Sequence, residues 1–124
     1  YRWACEAAER LGDERALVKC LAHWGRACVR QGDYAEAETY FARGLKIGTR
    51  KMDPHSISLI LYEQAQRAIE QGAYVKANED LDVCVDIGEE LNDDVLLGES
   101  YRQKARISQN SFSYLEAKNM QRNH

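Results

Sequence analysis

Laid over itself with a shift of forty residues, this chain falls into columns. Asp13, Asp53 and Asp93 share one, Leu17, Ile57 and Leu97 the next, then Leu21, Leu61 and Tyr101. A small-residue column follows with Gly25, Ala65 and Ala105, then Cys28, Ala68 and Ser108, the tyrosines Tyr34, Tyr74 and Tyr114, and the alanines Ala37, Ala77 and Ala117. The shift holds to both ends: Tyr1, Phe41 and Leu81 align, as do Ala4, Gly44 and Cys84, and Ala7, Ile47 and Ile87. A fixed period of this size constrains folding more than any composition does. Each unit is too small to bury its own apolar face and must stack on its neighbours.

Within a unit the apolar residues recur at helical spacing, as in Leu17, Leu21, Trp24 and Cys28, and again in Tyr34, Ala37, Phe41 and Leu45. A unit is therefore two helices. Asp13, Asp53 and Asp93 are placed to cap the first helix, with Pro54 suited to a first helical position. Gly32 and Gly72 mark the break before the second helix, where a left-handed residue ends the first. Asp33 with Glu36, and Ser113 with Glu116, have capping-box spacing. The predicted helices are 1–11, 14–31, 34–50, 54–71, 74–90, 94–109 and 113–123, about seven in an all-α chain. The small columns have a packing reason: Gly25 against Ala37, or Ala65 against Ala77, lets two antiparallel helices approach closely.

By this register, residues 1–12 are the second helix of a preceding unit, 13–52 and 53–92 are whole units, and 93–124 is a partial one. The chain reads as a segment of a longer array. Its 44% hydrophobic content excludes a disordered tail, and it has no apolar run of the ~20 residues that a membrane span requires. Seventeen basic against twenty acidic residues give a net charge of −3, which argues against direct nucleic-acid binding through bulk charge. Cys5, Cys20, Cys28 and Cys84 form no CxxC pair and read as packing thiols in a reducing, cytoplasmic setting.

The columns resemble those of the tetratricopeptide repeat in its long form. The match runs through Trp24-Gly25, Gly32-Asp33-Tyr34, Ala37, Phe41 and Gly44-Leu45. It continues through Ala65, Gly72-Ala73-Tyr74, Ala77, Leu81 and Cys84-Val85. The third unit keeps Ala105, Tyr114 and Ala117 but has Phe112 in place of the glycine and Gln121 in place of an apolar residue. The closest flavour is that of arrays attached to bacterial multidomain signalling ATPases and transcriptional activators. The resemblance implies a right-handed superhelical stack of antiparallel helix pairs, with a groove lined by the first helix of each unit and occupied by a protein or peptide segment.

Carried over by register, the groove positions include Lys19, Arg26 and Arg30 in the first unit, Tyr62 and Gln66 in the second, and Arg102, Arg106 and Gln109 in the third. Arg26, Gln66 and Arg106 share a column. Basic groups outnumber acidic ones on this face although the chain as a whole is acidic. It therefore suits an acidic or carboxylate-bearing peptide gripped by arginine forks; the plainer alternative is a solvated helix face.

No residue set speaks for catalysis, a cofactor or a metal. Cys20 and His23 lie one helical turn apart, but no further ligands stand at a matching spacing. The acidic residues form no paired constellation, and the glycines no phosphate loop. Two functions follow: a non-enzymatic recognition module of a signalling or transcription-regulatory protein, or a structural module for oligomerisation or spacing with an empty groove. Apolar flanks near Tyr1 and Met120 favour self-association through the repeat ends.

Overall fold

The structure, a computed structural model, describes residues 1–122, without the side chains of 113, 114, 117, 118, 121 and 122. The described residues are all-helical: α1 (Arg2–Leu11), α2 (Glu14–Arg30), α3 (Tyr34–Arg50), α4 (Pro54–Glu70), α5 (Tyr74–Leu91) and α6 (Asp94–Arg122). Each helix packs on the next in sequence, α2 also packs on α4, and α4 meets α6 mainly through side chains.

All five connections are built alike. Gly12, Gly32, Met52, Gly72 and Asn92 each take the left-handed conformation, with φ of 69°, 82°, 51°, 75° and 53°. In each turn, two successive backbone N–H groups reach back to close the helix, for example Gly32 to Val29 (3.0 Å) and Asp33 to Cys28 (2.8 Å). This is the Schellman arrangement. The turn residues stand twenty apart, so the unit of chain architecture is a single helix and turn. The next position in the series is Phe112. A left-handed conformation costs a non-glycine residue roughly 1–2 kcal/mol, and here the chain does not adopt it: residues 94–122 form one continuous helix.

That continuity corrects the sequence reading in three ways. The described residues form six helices rather than the seven expected, and Ser113 and Glu116 open none, because both lie inside α6. Tyr101 and Ala105, whose columns are buried in the earlier units, are exposed here. Leu21 and Gly25 are covered by α3, and Leu61 and Ala65 by α5, whereas among the described residues no helix covers the corresponding face of α6. The expected packing of Tyr114 and Ala117 lies outside the described residues.

The caps also depart from expectation. Asp13 and Asp93 accept from the backbone N–H of Ala16 (3.1 Å) and Leu96 (3.0 Å). Asp53 and Asp33 make no side-chain cap bond. The carboxylate of Asp53 is instead gripped by both arms of Arg15, at 2.8 and 2.9 Å, and by the Ser56 hydroxyl at 2.8 Å. Arg15 is the largest cause holding the Asp53 carboxyl well below the usual carboxylate range.

The core runs as a ribbon between the helices. Val18, Ala22, Ala37, Phe41 and Ile60 are fully buried at the α2–α3–α4 junction; Ala65, Ala77 and Leu81 are buried similarly between α4 and α5, joined by Ile107 of α6. Tyr34 and Tyr74 pack against these clusters, and Trp24 stacks on Tyr40 with ring centroids 4.0 Å apart. Small residues sit where helices cross. At Gly25 the surface pressed on the backbone is the Phe41 ring rather than Ala37: a Cβ there would lie 2.7 Å from Cδ1 and 2.8 Å from Cζ. At Gly44 it would lie 2.5 Å from Cδ1 of Ile60.

Candidate functional site

The first helices of the three units, α2, α4 and α6, present polar side chains to one another along one face. Between α2 and α4, Nη1 of Arg26 donates to Oε1 of Glu63 at 3.4 Å. The Glu63 side chain is only 6% exposed; burial pushes its carboxyl above the usual range, and Arg26 and Arg30 pull the other way. Arg26, Arg30 and Gln66 line a narrow crevice over this pair. The positive charge expected from Arg26 is therefore spent within the fold, on an acid that the register analysis did not place on this face.

Between α4 and α6 a hydrogen-bonded chain takes over. The Tyr62 hydroxyl donates to Oε2 of Glu99 at 2.9 Å and accepts from Nε2 of Gln103 at 3.3 Å. Nη1 of Arg106 donates to Oε1 of Gln103 at 3.4 Å, and Arg102 donates to Glu99. Tyr62 thus sits in the middle of a network that fixes both arginines relative to α4. Burial is the first cause, and Glu99 the second, that raises the Tyr62 hydroxyl pKa.

Beside this network α4 and α6 part, leaving a cleft of about 180 Å³ lined by His55, Ser58, Leu59, Tyr62, Asp93, Val95, Leu96 and Glu99. At ~30 Å³ per liquid water this is room for about six waters, or for one large side chain. Its walls are mainly Leu59, Val95 and Leu96, with Glu99 and Tyr62 at one edge. A larger hollow of about 460 Å³ lies at the N-terminus of α4, toward α2 and α3, around Glu14, Arg15, Lys51 and Asp53. Its charged groups already engage one another: Arg15 holds Asp53, while Arg50 and Lys51 reach Glu14.

Of the eight positions taken from the register, the structure joins Arg26, Arg30 and Gln66 in the α2–α4 crevice and Tyr62, Arg102 and Arg106 in the α4–α6 network. Lys19 and Gln109 are exposed and join neither group. Among the described residues, Lys19, Arg30 and Arg106 have no acidic partner within ion-pair distance. The residues that reading missed are Glu63, Gln103 and the cleft walls Val95 and Leu96. Glu63 and Gln103 share a column with His23, and this all-polar column was the available signal. Burial, with Arg26 and Lys19, lowers the pKa of His23, and among the described residues no three potential metal ligands converge. No described helix is long and apolar enough to cross a membrane. Comparison with protein families, curated proteins and solved structures finds no match to this chain.

Proposed function

We propose that this chain is a non-enzymatic recognition module of tetratricopeptide type, a right-handed superhelical stack whose first-helix face binds an extended peptide from a protein partner. The observation that carries the reading is the α4–α6 cleft: an apolar recess walled by Leu59, Val95 and Leu96, beside a network that holds Arg102 and Arg106 in place. An apolar side chain of the peptide enters the recess, and a carboxylate meets Arg106 or, further along the face, Arg30. Pre-fixed arginines lose less freedom on binding, which favours affinity. The module works in the cytoplasm as the sensing or partner-recognition part of a larger signalling or transcription-regulatory protein.

A fluorescence-anisotropy screen of acidic peptides that carry one large apolar residue tests this. Charge reversal at Arg30 and Arg106 together should weaken binding tenfold or more, about 1.4 kcal/mol or above. Arg26 is avoided because its reversal would press two acids together over Glu63. Binders whose affinity is unchanged in the double variant, or a screen without binders, would overturn the proposal.

A further inference from the structure

The four cysteines have different partners. Sγ of Cys28 donates to Oε2 of Glu36 at 3.9 Å, and Sγ of Cys84 to the backbone carbonyl of Ser58 at 3.6 Å. Cys5 and Cys20 meet each other instead, their thiols within hydrogen-bonding reach across the α1–α2 contact. Both belong to one cluster, in which Cys5, Ala8, Leu17 and Leu21 are buried and Cys20 packs against them. The chain brings the two level: Cys5 stands seven residues before Gly12 and Cys20 eight after it. At ~1.5 Å per residue, they are within about 2 Å of the same height on the two helices. One turn nearer the connection, Ala8 and Ala16 pack in the same cluster. Such small side chains let the helices approach closely, as a disulfide requires, with its Cα atoms about 5.5–6 Å apart. In the next two units the same positions hold Leu45 with Ile60 and Val85 with Ser100, so the repeat needs packing here but not sulfur.

We propose that Cys5 and Cys20 form a reversible disulfide that clamps α1 to α2 when the protein meets a low-molecular-weight disulfide such as oxidised glutathione. Cys20 is half-buried and Cys5 buried, so Cys20 is the thiol that such a reagent reaches. The Cys20 thiolate, its proton released to water, attacks one sulfur of the reagent; a mixed disulfide forms and one glutathione thiolate leaves. Cys5 then gives up its proton and attacks the Cys20 sulfur, and the second glutathione leaves. Two protein thiols are oxidised to one disulfide while one reagent disulfide is reduced to two thiols. An excess of reduced thiol reverses both steps, so in a reducing compartment the bond forms only during oxidation. Its effect is mechanical. Closing residues 5–20 into a loop removes arrangements in which α1 has come away from α2, and lowers their population on the order of a hundredfold.

The test is to incubate the intact chain with oxidised glutathione, alkylate the remaining thiols in denaturant, and digest without reduction. Trypsin places the four cysteines on four peptides, Cys5 on 3–10 and Cys20 on 20–26, so mass spectrometry reads the linkage directly. The expected product joins 3–10 to 20–26, lighter by two hydrogen atoms than the separate peptides and parted by dithiothreitol, with Cys28 and Cys84 alkylated. Cys5→Ala should stop at a mixed disulfide of Cys20 with glutathione. Amide hydrogen exchange in α1 should slow on the order of a hundredfold on oxidation of the parent, and not in Cys5→Ala. Cys20 carrying glutathione beside a free Cys5 in the parent overturns the proposal, as do two unreacted thiols, a bond to Cys28 or Cys84, or a bond between two copies. An unmodified Cys20 in Cys5→Ala refutes the two-step route, and a Cys5–Cys20 bond that leaves α1 exchange unchanged refutes the clamp.

Discussion

Gly25 sits in the interior of α2, where replacing glycine by alanine ordinarily stabilises a helix by about 0.8–1 kcal/mol. The packing on this chain reverses that sign. The added methyl would stand under 3 Å from three atoms of the Phe41 ring, and Phe41 has no exposed surface into which to move. Overpacking of this kind costs roughly 1–3 kcal/mol, and the fully enclosed ring puts the site at the upper end. The net expectation for Gly25→Ala is a loss of about 2 kcal/mol. With a urea m-value of about 1.5–2 kcal/mol/M for a chain of this size, the unfolding midpoint falls by about 1 M. The second unit shows the remedy, because it pairs Ala65 with Leu81 where the first pairs Gly25 with Phe41. Adding Phe41→Leu should recover much of the loss, giving a favourable coupling of about 1–2 kcal/mol in a double-mutant cycle. Urea titration followed by far-ultraviolet circular dichroism reads all four proteins. A stabilised Gly25→Ala variant, or strictly additive changes, would refute the claim that ring contact dictates the glycine.

Two further outcomes follow from single groups. The Ser100 hydroxyl is fully buried and has no hydrogen-bond partner among the described residues, so Ser100→Ala should raise stability by about 1 kcal/mol; a drop in the urea midpoint would contradict this. Asp53 has a folded pKa below its ordinary value of 3.8, so its contribution is complete above that value and lost as pH falls through the folded one. Arg15→Gln removes the largest cause of the depression. The stability of the variant should therefore fall less steeply than that of the parent between about pH 5 and pH 2, and equal acid slopes in urea titrations would count against the pairing.

How much could be read beforehand depended on how local the cause was. The turns at Gly32 and Gly72 were legible because glycine announces a left-handed residue. Those at Met52 and Asn92 were placed only through the aspartates that follow them. The missing turn at Phe112 was misread because the forty-residue register predicted a break there; Met52 takes the left-handed conformation at the equivalent place, so the absence of a glycine does not by itself decide it. Asp53 was expected to cap α4, but its partner is Arg15, 38 positions earlier, and no local pattern carries that information. The groove positions were legible as a face. Their charge balance was not, because Glu63 comes beneath Arg26 only when α2 and α4 are brought together.

The turn repeated every twenty residues has a consequence for how this chain comes apart. The helices, of which α2 to α5 are 17 or 18 residues long, each lean mainly on their sequence neighbours and so make contacts that are close in the chain, and such topologies pay little loop-closure entropy and fold fast. They also hold together as a ladder of adjacent couplings rather than as one indivisible core. Helix α1, the shortest, packs mainly on α2, with side-chain contacts to α3 such as the Arg43–Glu9 pair, and carries the exposed Trp3 and Leu11, so it is the rung that opens first. The junction of α2, α3 and α4 is held from both sides and opens last. The protein can thus lose an end while its centre remains folded.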